Sequence, residues 1–119
     1  MENLENLSYP QKLFSAIFSE NLIYNLLIED NEEEATIITD KFVDSFIKEL
    51  RENEEEKSVD LIEAIINVVF RQGLTLQDVA NKTAIGYETV YMHYCFMLRK
   101  MRYPSRSKVY KNDIKSLLR

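Results

Sequence analysis

Residues 75–90, TLQDVANKTAIGYETV, decide how this chain folds. Thr75 with Asp78 three positions later reads as a capping box, aspartate standing where glutamate is usual. A short helix, LQDVANKT, follows. Then comes a tight connection at Ala84-Ile85-Gly86 and a second helix from about Tyr87 to Arg102. That helix must stop near Pro104, because the residue before a proline avoids the α region. Two helices joined by about three residues must cross closely. Ala80 is small enough to allow it, Ile85 plugs the corner, and Val79 and Val90 are placed to bury against a supporting helix. This is the pattern of a helix-turn-helix, although an ordinary corner in a helical bundle satisfies it as well.

Outward from this stretch the helical spacing continues. Ser58 is positioned to cap VDLIEAIINVVFRQ, an apolar helix closed by Gly73, which takes the left-handed conformation after a helix end without strain. Nearer the amino terminus, Ser8, Tyr9 and Pro10 form a helix start. Leu13, Phe14, Ile17, Phe18, Leu22, Leu26 and Leu27 fall at helical spacing beyond it and predict one helix running to about Glu29. Asp30 or Asn31 can cap the next, with Glu32 to Glu34 in the first turn where the macrodipole favours acid. Its apolar positions are Ile38, Phe42, Phe46 and Leu50, flanked by Val43 and Ile47. RENEEEKS is a charged break, and Ser105 or Ser107 can begin a last helix ending near Leu118. With only two glycines and two prolines, closely spaced hairpins are excluded. The expected fold is all-α: an acidic amino-terminal helical hairpin over residues 1–57, followed by a helix-turn-helix domain over residues 58–119.

The net charge of −5 conceals an asymmetry. Residues 1–70 hold 17 acidic and 5 basic side chains, whereas residues 71–119 hold 3 acidic and 10 basic. Such a division suits either a polyanionic or acidic partner or the docking of one half on the other. The single cysteine, Cys95, has no internal disulfide partner, which fits a reducing compartment. The residues after Met1 are acidic and lack the pattern of a signal peptide. The longest apolar run, near LIYNLLI, is too short to span a bilayer. The expectation is a cytoplasmic protein without a membrane contact. No nucleophile–histidine pair, glycine-rich phosphate loop or Cys/His ligand spacing is evident, so neither an enzyme, a cofactor nor a metal site is expected.

The stretch from Gly73 to Lys108 resembles the minus-35-reading domain of bacterial primary sigma factors. Thr75-Leu76-Gln77-Asp78-Val79-Ala80 follows that family's first block. Leu98-Arg99-Lys100-Met101-Arg102-Tyr103-Pro104-Ser105-Arg106-Ser107 follows its last almost letter for letter. Response-regulator helix-turn-helix domains are similar in the middle but do not account for RYPSRSK. The segment LRKMRYPSRSK, residues 98–108, carries five of the fifteen basic residues. By the resemblance, Arg99, Lys100, Arg102 and Arg106 lie near the DNA backbone, where phosphate contacts position without specifying sequence.

The recognition helix departs from the family. Its base-reading arginines and glutamine fall on Tyr87, Thr89, Tyr91 and Met92, and only the glutamate survives, as Glu88. Arginine and glutamine read bases through bidentate hydrogen bonds, whereas tyrosine and methionine offer shape and apolar area. Such a surface marks a protein contact as readily as a groove reader. The resemblance therefore implies a transcription regulator that binds DNA, the RNA polymerase core, or both, through Tyr87, Glu88, Tyr91, Met92 and the basic cluster. The alternative is a protein-interaction module that mimics a sigma domain and binds polymerase or another transcription protein without reading DNA. The apolar stripes of residues 1–57 add the expectation of a homodimer formed through that segment.

Overall fold

The computed structural model describes residues 7–20 and 28–117. Among them the chain is all-α, with no strand: α1 (Tyr9–Phe18), a 3-10 turn (Ile28–Asn31), α2 (Glu32–Asn53), α3 (Glu56–Ile65) continued by a π-helical turn (Ile66–Arg71), α4 (Leu76–Thr83), α5 (Tyr87–Met101) and α6 (Pro104–Ser116). No helix is long and apolar enough to cross a membrane.

Side-chain chemistry sets most of the helix ends. The Ser8 hydroxyl accepts from the Gln11 N–H at 3.4 Å, and Gln11 Oε1 accepts from the Ser8 N–H at 2.8 Å, closing a capping box around α1. Thr75 and Asp78 do the same for α4. Hydrogen bonds from the Thr75 N–H and hydroxyl hold the Asp78 carboxyl below its ordinary value. This stabilisation is present above the ordinary carboxylate range and is lost as the pH falls through the depressed value. Gly73 takes φ +75°, and a Cβ there would meet Lys12 Nζ at 2.8 Å. Pro104 occupies the first position of α6, one residue before the serine expected to start it.

Three ends differ from the sequence reading. The apolar stripe predicted a first helix to about Glu29, but α1 stops at Phe18, with Ser19 left-handed at φ 58°. The reason lies far along the chain. Arg102 donates from Nη2 to the Ala16 carbonyl at 2.9 Å and from Nε to the Ile17 carbonyl at 3.2 Å, so the last turn finds its acceptors satisfied without further helix. Leu22, Leu26 and Leu27 lie outside the described residues. Asn31 does precede α2, yet it does not cap it, because its side-chain amide donates to the Leu117 carbonyl at 2.9 Å. Finally, α3 begins at Glu56, ahead of the expected cap at Ser58, whose hydroxyl lies 3.4 Å from the His93 ring.

One apolar core runs from α1 to α6 and crosses position 57 without a break. Val59, Ile62, Ile65 and Ile66 are fully buried on α3 and its π turn, and this element packs against α1, α2, α4 and α5. Val79 and Val90 are fully buried on either side of the α4–α5 corner, Ala80 is 6% exposed, and Ile85 packs against the core. The corner thus rests on α3 as the spacing requires.

The last helix folds back along α2 in antiparallel sense. The Tyr110 ring stacks on Phe42 with centroids 4.5 Å apart and planes 9° from parallel. Thr39 donates its hydroxyl proton to the Ala35 carbonyl, which leaves the Tyr110 hydroxyl, 3.1 Å away, as donor to Thr39. Burial pushes the Tyr110 hydroxyl well above its ordinary pKa. Three ion pairs tie distant elements together: Arg106 on α6 with Glu49 on α2 at 2.7 Å, Lys111 on α6 with Glu20 beyond α1 at 2.8 Å, and Arg71 on the π turn with Asp40 on α2 at 2.9 Å. Each joins a basic residue of the carboxy-terminal half to an acidic residue of the amino-terminal half.

Two substitutions test this arrangement. Phe46 is fully buried under the Arg106 guanidinium, and Phe46→Ala is expected to cost about 3–5 kcal/mol in denaturant unfolding. Thr75→Ala removes the α4 cap, and the same measurement should show a loss of about 1 kcal/mol.

Candidate functional site: the outer face of α5

The α5 helix buries Val90, Met97, Leu98 and Met101 and turns its remaining faces outward. The i, i+4 series Tyr87, Tyr91, Cys95, Arg99 is exposed throughout, and Glu88 and Met92 flank it. Residues four apart are neighbours on a helix surface. Accordingly, the Tyr87 and Tyr91 rings lie 6.3 Å apart and 16° from parallel. Met92 is 68% exposed, an uncommon position for a large apolar side chain. The neighbouring Cys95 thiol pushes the Tyr91 hydroxyl above its ordinary pKa.

Toward the carboxy-terminal end cations alternate with rings. Arg99 and Lys100 lie 5.6 and 5.4 Å from the centre of Phe96, and Lys100 also lies 5.3 Å from Tyr103. Tyr103 is 43% exposed. The inner flank is packed: Tyr94 is half-buried and stacks on Phe70 at 6.3 Å. Among the ring nitrogens of His93, Nδ1 donates to the Thr89 carbonyl at 2.8 Å, which leaves Nε2 to accept from Ser58. That histidine ties α5 to α3.

The structure divides the eight candidate residues in two. Tyr87, Glu88, Tyr91, Met92, Arg99 and Lys100 share the outer face of α5. Arg106 is spent inside the molecule, whereas Arg102 stays exposed with its guanidinium tied to α1. Arg102 caps α1 as described, and Arg106 pairs with Glu49, donates to the Lys100 carbonyl and covers Phe46, with its side chain only 15% exposed. Of the four basic residues in the cluster, Arg99 and Arg102 are exposed and Lys100 is half-buried, while only Arg99 and Lys100 have no hydrogen-bond or ion-pair acceptor among the described residues. Sequence reasoning passed over Tyr103 and Cys95. For Cys95 the signal was its place in the four-residue series; for Tyr103, whose ring covers two cations, nothing local marked it.

Among the described residues no group of three or more His, Cys, Asp or Glu side chains is arranged to hold a metal ion. No family model matches the chain, and no curated protein and no solved structure matches it either.

The two kinds of arginine separate by experiment. Arg102→Ala leaves two α1 carbonyls without a donor and is expected to lower stability by about 1–2 kcal/mol. Arg99→Ala touches only the surface, and thermal unfolding should report a change within about 0.5 kcal/mol.

Proposed function

We propose that the chain is a transcription regulator whose α4–α5 corner is a sigma-like helix-turn-helix, presenting α5 to DNA, to the RNA polymerase core, or to both. The observation that carries this reading is the corner itself. Ala80, Ile85 and Val90 meet at a three-residue connection over α3, and the helix after it leaves one long face uncovered. The residues on either side of that corner are those that resemble the sigma domain, Thr75 to Ala80 and Leu98 to Ser107.

A second reading, a sigma-domain mimic that binds a transcription protein without reading DNA, is favoured by a specific observation. Arg106 is paired with Glu49 and largely covered, and Arg102, though exposed, donates to two α1 carbonyls, which reduces the donors available for phosphates. The groups at the base-reading positions are tyrosine and methionine. Aromatic residues, methionine and arginine are the types enriched at protein interfaces. Tyr87, Tyr91, Met92 and Arg99 make such a set.

The experiment is retention of core RNA polymerase by the tagged protein from nuclease-treated host lysate. Where α5 contacts polymerase, polymerase is retained, and Tyr91→Ala is expected to reduce retention about tenfold, as loss of a central aromatic contact does. DNA binding separates the two. Affinity that falls steeply with salt and weakens in Arg99→Ala supports direct phosphate contact; salt-insensitive retention of polymerase without DNA affinity supports the mimic. A protein that binds neither polymerase, DNA nor any other transcription protein in the lysate refutes both.

A further inference from the structure

The α2–α6 seam carries a groove of about 400 Å³ that shares no residue with the outer face of α5. Its floor is Ile38, Phe42 and Tyr110, and its walls include Lys41 on α2 and Val109 and Asp113 on α6. Val109 is 68% exposed, and Ile37, on the adjoining turn of α2, is 53% exposed. β-branched residues are poorer helix formers than lysine or glutamate. Their place on the outer surface of two helices is therefore not explained by helix formation.

We propose that this groove is the contact between two copies of the chain, packed about a two-fold axis running along it. The argument is charge complementarity. Because the helices are antiparallel, Asn31 meets Leu117, Thr39 meets Tyr110 and Glu49 meets Arg106. By these pairs Lys41 stands opposite about residue 109, so Asp113 lies on the other wall at a height one helical turn, about 6 Å, along the groove, within reach of a lysine side chain. Neither forms an ion pair among the described residues. A two-fold axis along the groove lays each α2 over the α6 of the other copy and preserves those heights. Lys41 then faces Asp113 of the partner subunit, and Asp113 faces Lys41 of the partner subunit. A ligand of one charge sign would leave one of these two groups unmatched; a second copy matches both, as an isologous contact requires.

Val109 and Ile37 of each copy close over the apolar floor, giving a four-helix layer with antiparallel neighbours. The patch is no longer than the thirteen-residue α6, roughly 20 Å. Its area thus sits at the low end for stable contacts, and a dissociation constant on the order of micromolar is expected.

Sedimentation velocity of the intact protein from about 1 to about 100 μM tests this by mass action. A monomer–dimer equilibrium is expected. Lys41→Glu and Asp113→Lys should each weaken it about tenfold, since each removes two symmetric pairs and opposes like charges. The double variant should restore it, because the swapped charges again face one another. Val109→Glu, which places a charge on the apolar strip at an exposed position, should leave monomer with an unchanged thermal midpoint. A protein that stays monomeric throughout the range overturns the proposal. So does a dimer whose affinity is the same in all four variants, or a double variant no stronger than the singles. None of these outcomes depends on DNA or polymerase, so the result stands apart from the function proposed above.

Discussion

The stacking of Tyr110 on Phe42 closes this chain on itself. The contact joins a ring from the carboxy-terminal helix to one from the acidic helix seventy residues earlier, and it carries a buried hydrogen bond to Thr39. A buried hydroxyl without a partner costs more than the bond contributes net, so the pair fixes the register of α6 along α2. The positions of several neighbours follow from that register. Arg106 reaches Glu49, Lys111 reaches Glu20, and the Leu117 carbonyl receives the Asn31 amide. The charge asymmetry of the sequence is in good part an internal device, because three of the five ion pairs among the described residues cross between its two halves.

Closing the seam has a consequence for the surface. The turn at Pro104 that sends α6 back also draws Arg102 toward the end of α1 and Arg106 under Glu49. A basic cluster that looks continuous in sequence is divided: Arg99 and Lys100 lie beside aromatic rings, Arg102 is exposed but tied to α1, and Arg106 is largely covered. Cations held over ring faces are well suited to contacts in which a partner excludes water. The outer face of α5 is therefore closer in composition to a protein contact than to a base-reading helix, although its placement on the corner suits either.

Local chemistry was legible in the sequence; long-range destinations were not. The capping box of Thr75 and Asp78, the left-handed Gly73, the three-residue corner and the stop at Pro104 all depend on residues within a turn or two of one another, and all were readable. So was the burial of Val79 and Val90. The early end of α1 was not, because its cause is a guanidinium eighty-five residues away. The apolar stripe continues past Ser19 with no glycine or proline to mark the stop. Ser58 looked like a cap because serine usually is one, and nothing nearby indicated that it faces His93. The candidate residues were named from the resemblance; helical spacing accounts for six of them lying together on α5, while Arg102 and Arg106 could be placed only by tertiary contact.

The α4–α5 corner turns on Ala84, at φ 60°. Left-handed backbone is unfavourable for a residue with a Cβ, by roughly 1–2 kcal/mol, and nothing in the three residues Ala84-Ile85-Gly86 favours it over an ordinary helical continuation at that position. The bend is held from its arms, by Val79 on one side and Val90 on the other, both seated on α3. The strain at Ala84 is offset only where both arms are seated on the supporting helix, so the direction of α5 is set by the core and not by its own connection. Its outer face then inherits the rigidity of the whole domain.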